Sequence, residues 1–439
     1  MTNDGPQPDR TEGDLNLSPH RAQWQEQHHG STRALLDDDA RYFLHQALST
    51  PCLNALASCG GSTLRDIEGH AILDFHGNSA HQIGYGHPKV LRAIRDQLDT
   101  LPFCPRRYTN RPAVELAKRL TTRAPMAEAR VLFAPGGASV LSMALKLARL
   151  TTRRHKTISW WGSFHGATID AISIGGEAMF REGLGPLLPG AMHVPPPGGP
   201  DGVSVEELLR QTEALFERER DIAAFIAEPI RCTTVIQPPA EYWQRIRALC
   251  DHYGALLVFD EIPIGLGRTG RLFACEYAGV EADVICLGKG LGGGVFPMAA
   301  MLARGSLNVV ASSSIGHFTH EKSPVGAAAS LATLEVIEEE GLLDRAFRLG
   351  AEVLDRLREL KSRHSTITEL RACGMLFAVE LDAADTAEAM LYACLRRGLS
   401  FKVSSGTVLT LSPPLNISDE DMNQALSILD AAFAEVSPR

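Results

Sequence analysis

The sequence predicts an α/β fold: a mostly parallel sheet covered by helices on both faces, followed by a smaller α+β lobe. Three observations predict it. From about 130 to 300, near-continuous apolar runs of strand length alternate with amphipathic stretches, as expected of strands buried on both faces. Charged residues recur where three of those runs stop, at intervals close to one βαβ unit. From about 335, long helices alternate with short strands such as "LFAVEL" (376–381) and "TVLTL" (407–411), which marks off a separate lobe.

The elements follow in order. "RVLFA" (130–134) reads as a strand. "SVLSMALKLARLTTRR" (139–154) reads as a helix, with Val140, Met143, Ala144 and Leu147 on one stripe and basic residues at its end. "KTISWW" (156–161) is the next strand. "SVEELLRQTEALFERER" (204–220) opens on the capping-box pair Ser204 and Glu207. "IAAFIAEP" (222–229) reads as a strand and "EYWQRIRALCDHYG" (241–254) as a helix stopped by Gly254. "ALLVFDE" (255–261) and "DVICLGK" (283–289) complete the strand series. Residues 1 to about 30 are polar and read as a mobile or draped arm, with His28 and His29 solvated.

Composition narrows the function classes. The 439 residues are 44% hydrophobic and 22% charged, an ordinary globular balance. A net charge of −9 argues against nucleic acid or an anionic membrane surface as the main partner. No apolar run approaches the roughly 18 residues of a spanning helix. The N-terminus lacks a basic-then-apolar leader pattern, and the nine cysteines form no CxxC pair, so a reducing cytoplasm is expected. The 15 histidines include no HxxxH or HExxH pair, so no metal is expected.

The chemistry sits at the strand ends. Glu228, Asp260 and Lys289 lie 32 and 29 residues apart, so each falls about one βαβ unit from the next. All three then emerge at the carboxyl edge of one sheet, where open α/β folds bind ligands. A lysine facing a carboxylate across such an edge suits pyridoxal 5′-phosphate. The lysine forms a Schiff base, and the acid keeps the pyridine nitrogen protonated. The glycines of "GKGLGGG" (288–294) let the backbone approach the cofactor, and covalent occupation removes the need to solvate Lys289. "APGGAS" (134–139) follows a strand and opens a helix, so the backbone N–H groups of Gly137 and Ala138 are candidates for the phosphate. "SFHG" (163–166) can lay Phe164 over the ring.

Together these stretches resemble the class III, or ω-aminotransferase-like, group of fold type I pyridoxal phosphate enzymes. The likeness runs from about Tyr42 to the C-terminus and is most specific in "LLVFDEIPIGLGRTG" (256–270) and "DVICLGKGLGGG" (283–294). It implies a seven-stranded-type sheet in a large cofactor domain (76–330), an N-terminal arm with part of the small domain (1–75), and a C-terminal small domain (331–439). It makes Lys289 and Asp260 the catalytic pair, Glu228 a support for the cofactor, Ile262 the residue beneath the ring and Phe164 the residue above it. It makes Thr319, in "HFTHEKSP", a phosphate contact for the other subunit, which implies a homodimer with shared active sites.

Departures from the family pattern refine the expectation. Gly136-Gly137-Ala138-Ser139 stands where members commonly read Ser-Gly-Ser/Thr-Glu. Asp260-Glu261-Ile262-Pro263 lacks the usual glutamine, and "VLTLSPPL" (408–415) offers Thr410 where many members carry an arginine for a substrate carboxylate. Without that arginine a keto acid loses its bidentate partner, which favours a lyase needing no second substrate. Arg106 and Arg107 in "PRRYT", and Arg231 in "IRCTTV", are candidate partners for a substrate phosphonate; Lys322 is a fourth cation. "FHGNS" (75–79), "PRRYT" (105–109), "IRCTTV" (230–235) and "THEKSP" (319–324) are similar to the (R)-1-hydroxy-2-aminoethylphosphonate ammonia-lyase branch, which implies phosphonate breakdown. An ω-amine aminotransferase with a keto acid acceptor is the alternative.

Overall fold

The computed structural model describes residues 18–46, 52–198 and 203–436. A seven-stranded sheet forms its centre. In chain order its strands are β1 (Arg130–Ala134), β2 (Lys156–Trp160), β3 (Ala191–Val194), β4 (Ile222–Ala227), β5 (Leu256–Asp260), β6 (Val284–Leu287) and β7 (Ala299–Ala303). In space the order is β1-β7-β6-β5-β4-β2-β3. Every pairing is parallel except those of β7, which runs antiparallel to both β1 and β6. β4, β5 and β6 are buried along their whole length, so both faces are covered, and Val/Ile/Leu/Phe-rich sequences suit that position.

The strand ends match the predicted elements within about two residues. The helix after β1 starts earlier than its stripe suggests, at Gly137, so Gly137 and Ala138 belong to its first turn. Strand β7 carries no sequence signal: "AAMLA" is made of good helix formers, and only its seat between two strands makes it extended. The capping box at Ser204 is half formed. Ser204 Oγ accepts from Glu207 N at 3.3 Å, but the Glu207 carboxylate turns to Arg210, with Nε and Nη2 each at 2.7 Å.

Two four-stranded sheets flank the centre. The first is an antiparallel meander, Leu56–Gly60, Thr63–Asp66 and Ala71–Asp74, extended by the parallel strand Leu399–Ser400 from the C-terminal part. The second is antiparallel: Ile367–Cys373, Leu376–Leu381, Val408–Leu411 and Lys402–Ser404, with Lys402 directly opposite Thr410. The N-terminal arm corrects the sequence expectation. Residues 1–17 lie outside the described residues, but Pro19–Glu26 and Gly30–Tyr42 are helices. Trp24 is buried and donates to the Leu53 carbonyl at 2.7 Å, and the His28 ring reaches the same carbonyl at 3.1 Å. One aromatic anchor therefore docks the arm, and His28 is half-buried rather than simply solvated.

Candidate active site

Glu228, Asp260 and Lys289 follow three neighbouring parallel strands. Ala227 pairs with Phe259, so Glu228 stands level with Asp260, and Asp260 pairs with Cys286 at the end of β6. Lys289 lies two residues past Leu287 and opens a short 3-10 turn, Lys289–Gly292, with a left-handed φ of +45°. A non-glycine residue there is strained, and such strain concentrates at functional positions. Lys289 is exposed at the edge.

Asp260 is buried and held from two sides. Its Oδ1 accepts from Ile262 N at 3.0 Å, and its Oδ2 accepts from His165 Nδ1 at 2.7 Å. Both side chains are enclosed, with 0% and 2% exposure, so the imidazole fixes the carboxylate in a water-poor setting. His165 Nε2 is buried and has no hydrogen-bond partner among the described residues. Sequence reading chose Phe164 in "SFHG" and passed over His165. The signal available was a histidine in the loop after β2, next to a strand whose end carries an acid. Phe164 itself is 37% exposed and rests against Phe180, ring centroids 4.6 Å apart.

Glu228 is fully enclosed. Burial, and then the nearby Asp260 charge, push its carboxyl above the usual range, while Cys232 N donates to its Oε2 at 2.9 Å. Glu261, next to Asp260 in sequence, points elsewhere. It accepts from the backbone N–H groups of Ala274 and Cys275 at 2.6 and 2.7 Å, and burial raises it to about 7.

The helix Gly137–Thr152 begins at Gly136 with no side-chain cap, so its first N–H groups stay open at the site edge. A Cβ on Gly137 would meet Ile262 Cδ1 at 3.0 Å and Cγ2 at 3.1 Å, so glycine is what lets Ile262 lie against this turn. At Gly290 the vacant space is filled by protein: a Cβ there would lie 1.8 Å from Gln82 Oε1. Gln82 is buried, and neither atom of its amide has a partner among the described residues. The segment before it, Gly77-Asn78-Ser79, has three consecutive positive φ values of 47°, 48° and 56°. Asp74 pins it, accepting from His76 N at 2.9 Å and Gly77 N at 3.0 Å.

The candidate substrate cations separate in space. Arg231 is buried, and its Nη2 donates to the Gly162 carbonyl at 2.5 Å, so it sits between the ends of β2 and β4. Arg106 is half-buried and Arg107 exposed on the loop 101–110. That loop packs on the one carrying Thr319 and Lys322. Phe103 and His320 ring centroids are 5.2 Å apart, and Asn110 Nδ2 donates to the Lys322 carbonyl at 2.9 Å. Thr319 is exposed on its turn. Within one chain, then, Arg231 joins Glu228 at the sheet edge, while Arg106, Arg107 and Thr319 form a separate unit.

Residues 46–433 match the Aminotransferase class-III family. The chain belongs to that family. It is 46% identical, over 97% of its length and 95% of the relative's, to the (R)-1-hydroxy-2-aminoethylphosphonate ammonia-lyase of Vibrio splendidus (strain 12B01). It is 34% identical, over 86% and 93% of the two lengths, to an acetylornithine aminotransferase of Caldanaerobacter subterraneus subsp. tengcongensis. Among solved structures it superimposes on a transaminase from the marine bacterium Virgibacillus with a TM-score of 0.86 and 26% identity, covering 92% of this chain and 99% of that one.

The enzyme is thus a class III, fold type I pyridoxal phosphate protein acting on amino or keto substrates. The residues present fit that cofactor. A lysine, a buried carboxylate and an uncapped helix N-terminus converge on one sheet edge. Among the described residues no helix is long and apolar enough to cross a membrane, and no cluster of three or more His, Cys, Asp or Glu could hold a metal.

Proposed function

We propose that the enzyme is an ammonia-lyase that converts (R)-1-hydroxy-2-aminoethylphosphonate to phosphonoacetaldehyde and ammonia. The observation that carries this reading is the 46% identity, across 97% of the chain, with the Vibrio protein of that name. A second feature agrees with it. Thr410, at the position where a substrate-carboxylate arginine is expected, is buried and donates its hydroxyl to the Thr233 carbonyl. That strand position therefore offers a keto acid no bidentate partner.

Bound pyridoxal phosphate supplies an electron sink for the carbon bearing the amine. The residues of the chain supply the rest. Asp260, oriented by His165, holds a proton on the ring nitrogen. The Lys289 amine takes the proton from the amine-bearing carbon and returns it to the departing hydroxyl on the neighbouring carbon. Loss of water leaves an enamine. Its tautomer adds water back and releases ammonia, so substrate and products balance without an oxidant or a second substrate. Glu228 would support the site from beside Asp260, Ile262 and Phe164 would hold the ring, and Gly137 and Ala138 would hold the phosphate. Arg231 holds the phosphonate from within the same chain. Arg106 and Arg107 ride on the loop packed against Thr319, so in a homodimer they enter the same site as Thr319, that of the partner.

The test is incubation of holoenzyme with the aminophosphonate and no keto acid. Sustained ammonia release over many turnovers is expected. A single turnover that resumes only on adding a keto acid would establish the aminotransferase reading, which the 34% identity with an acetylornithine aminotransferase favours.

A further inference from the structure

Lys402 is absent from every motif discussed so far, yet the topology delivers it to the site. The strand Lys402–Ser404 pairs antiparallel with Val408–Leu411, with Lys402 opposite Thr410. Directly opposed residues of an antiparallel pair share a face. The direction of that face is set by Thr410, whose hydroxyl donates to the Thr233 carbonyl and lies 2.9 Å from Ser404 Oγ. It therefore looks onto the segment Arg231–Thr234, one residue of which, Cys232, donates its N–H to Glu228. Lys402 is half-buried there.

A second wall closes the same space. Ser79 Oγ, at the end of the strained segment, lies 3.9 Å from Cys232 Sγ. The chain just before Lys402 is tied to this wall by Phe75 N donating to the Ser400 carbonyl at 2.8 Å. Burial and Glu228 push the Cys232 thiol up, while the charges of Lys289 and Lys402 both pull it down. One of these lysines is carried by the large sheet and the other by the small sheet. Arg231 adds a third cation one residue away. So much positive charge around one half-buried cysteine suits an anion of charge about −2, and a lysine presents it with a point charge on a flexible stem.

We propose that Lys402 is a specificity-determining residue that pairs with the anionic end of the substrate from the small sheet. The proposal rests on the reading of the substrate as an aminophosphonate.

The test is spectral titration of holoenzyme with 2-aminoethylphosphonate and, as the same amine without the anion, with ethylamine. Lys402→Met is expected to weaken the aminophosphonate about 10-fold or more while moving ethylamine less than about twofold, and Lys402→Arg restores most of the loss. Lys402→Gln serves if the methionine variant does not hold cofactor. Equal weakening of both ligands, or of neither, overturns the proposal. The two readings fail separately. If the wild type releases ammonia from (R)-1-hydroxy-2-aminoethylphosphonate but the variants bind 2-aminoethylphosphonate unchanged, only the role of Lys402 falls. If the wild type releases none while the variants lose the anion selectively, the lyase reading falls and the anion subsite stands.

Discussion

At the carboxyl edge of the large sheet, Glu228, Asp260 and Lys289 each lie within two residues of the strand that carries them. On the small antiparallel sheet, Lys402 and Thr410 sit on two different strands and meet only because those strands pair in register. The first region assembles its chemistry from short motifs on parallel strands at near-constant spacing. The second assembles a wall from a stretch, "FKVSSGTVLTL", in which Thr410 marks a missing arginine and Lys402 carries no motif. The contrast sets residues that each follow their own strand against a wall that exists only where strands pair. The edge is fixed by where strands stop, and the wall by how two sheets meet at Thr233.

The largest expected effect strikes the edge alone. Lys289→Ala should lower turnover by about 10,000-fold, and borohydride should leave no cofactor attached to the chain. The fold should persist, since Lys289 is exposed. Next, Asp260→Asn should lower kcat/KM by about 100- to 1,000-fold. His165→Ala should reproduce part of that loss, and His165→Asn, whose amide can replace the Nδ1 donor, should recover most of it. If alanine and asparagine behave alike, the imidazole does not act by orienting Asp260.

A third experiment sets Asp260 against its neighbour Glu261, one residue apart and opposite in use. Burial raises Glu261 to about 7, from an ordinary value of 4.5. The folded chain therefore holds this proton where the unfolded chain has released it. The contribution to stability is full below about pH 4.5 and is lost as pH rises through about 7, a change of order 3 kcal/mol. Denaturant melts at pH 5 and pH 8 should show this decline, and Glu261→Gln should flatten it with catalysis retained. An unchanged slope would mean that the two backbone N–H groups on Glu261 outweigh its burial.

The smallest effect probes the wall. Thr410→Val keeps the shape but leaves the Thr233 carbonyl without its hydroxyl partner, for a loss of about 1 kcal/mol. A chemical-denaturation midpoint measures it, and an aminophosphonate KM raised with kcat unchanged would tie the wall to binding.

Much of this was legible in the sequence for identifiable reasons. Strands β4, β5 and β6 are buried on both faces, so each appears as a continuous apolar run whose end is marked by the first charge. Strand β7 was not legible, because "AAMLA" has no strand propensity and is extended only by its neighbours. His165 was one residue from the chosen Phe164, but only folding puts its ring 2.7 Å from Asp260, 95 residues away. The "FHGNS" motif was visible. That its glycine, asparagine and serine all take positive φ and lead to a buried amide against Gly290 was not.

By itself the sequence determined the layered α/β architecture, the strand-end acids and lysine, and the missing arginine at Thr410. Each is a local property: a periodicity, a spacing or an identity. The tertiary structure decided which acid faces His165, which arginine stays at the edge and which lysine arrives from the second sheet. Those outcomes depend on register and sheet-to-sheet contact between segments far apart in the chain, and no window of sequence contains both partners.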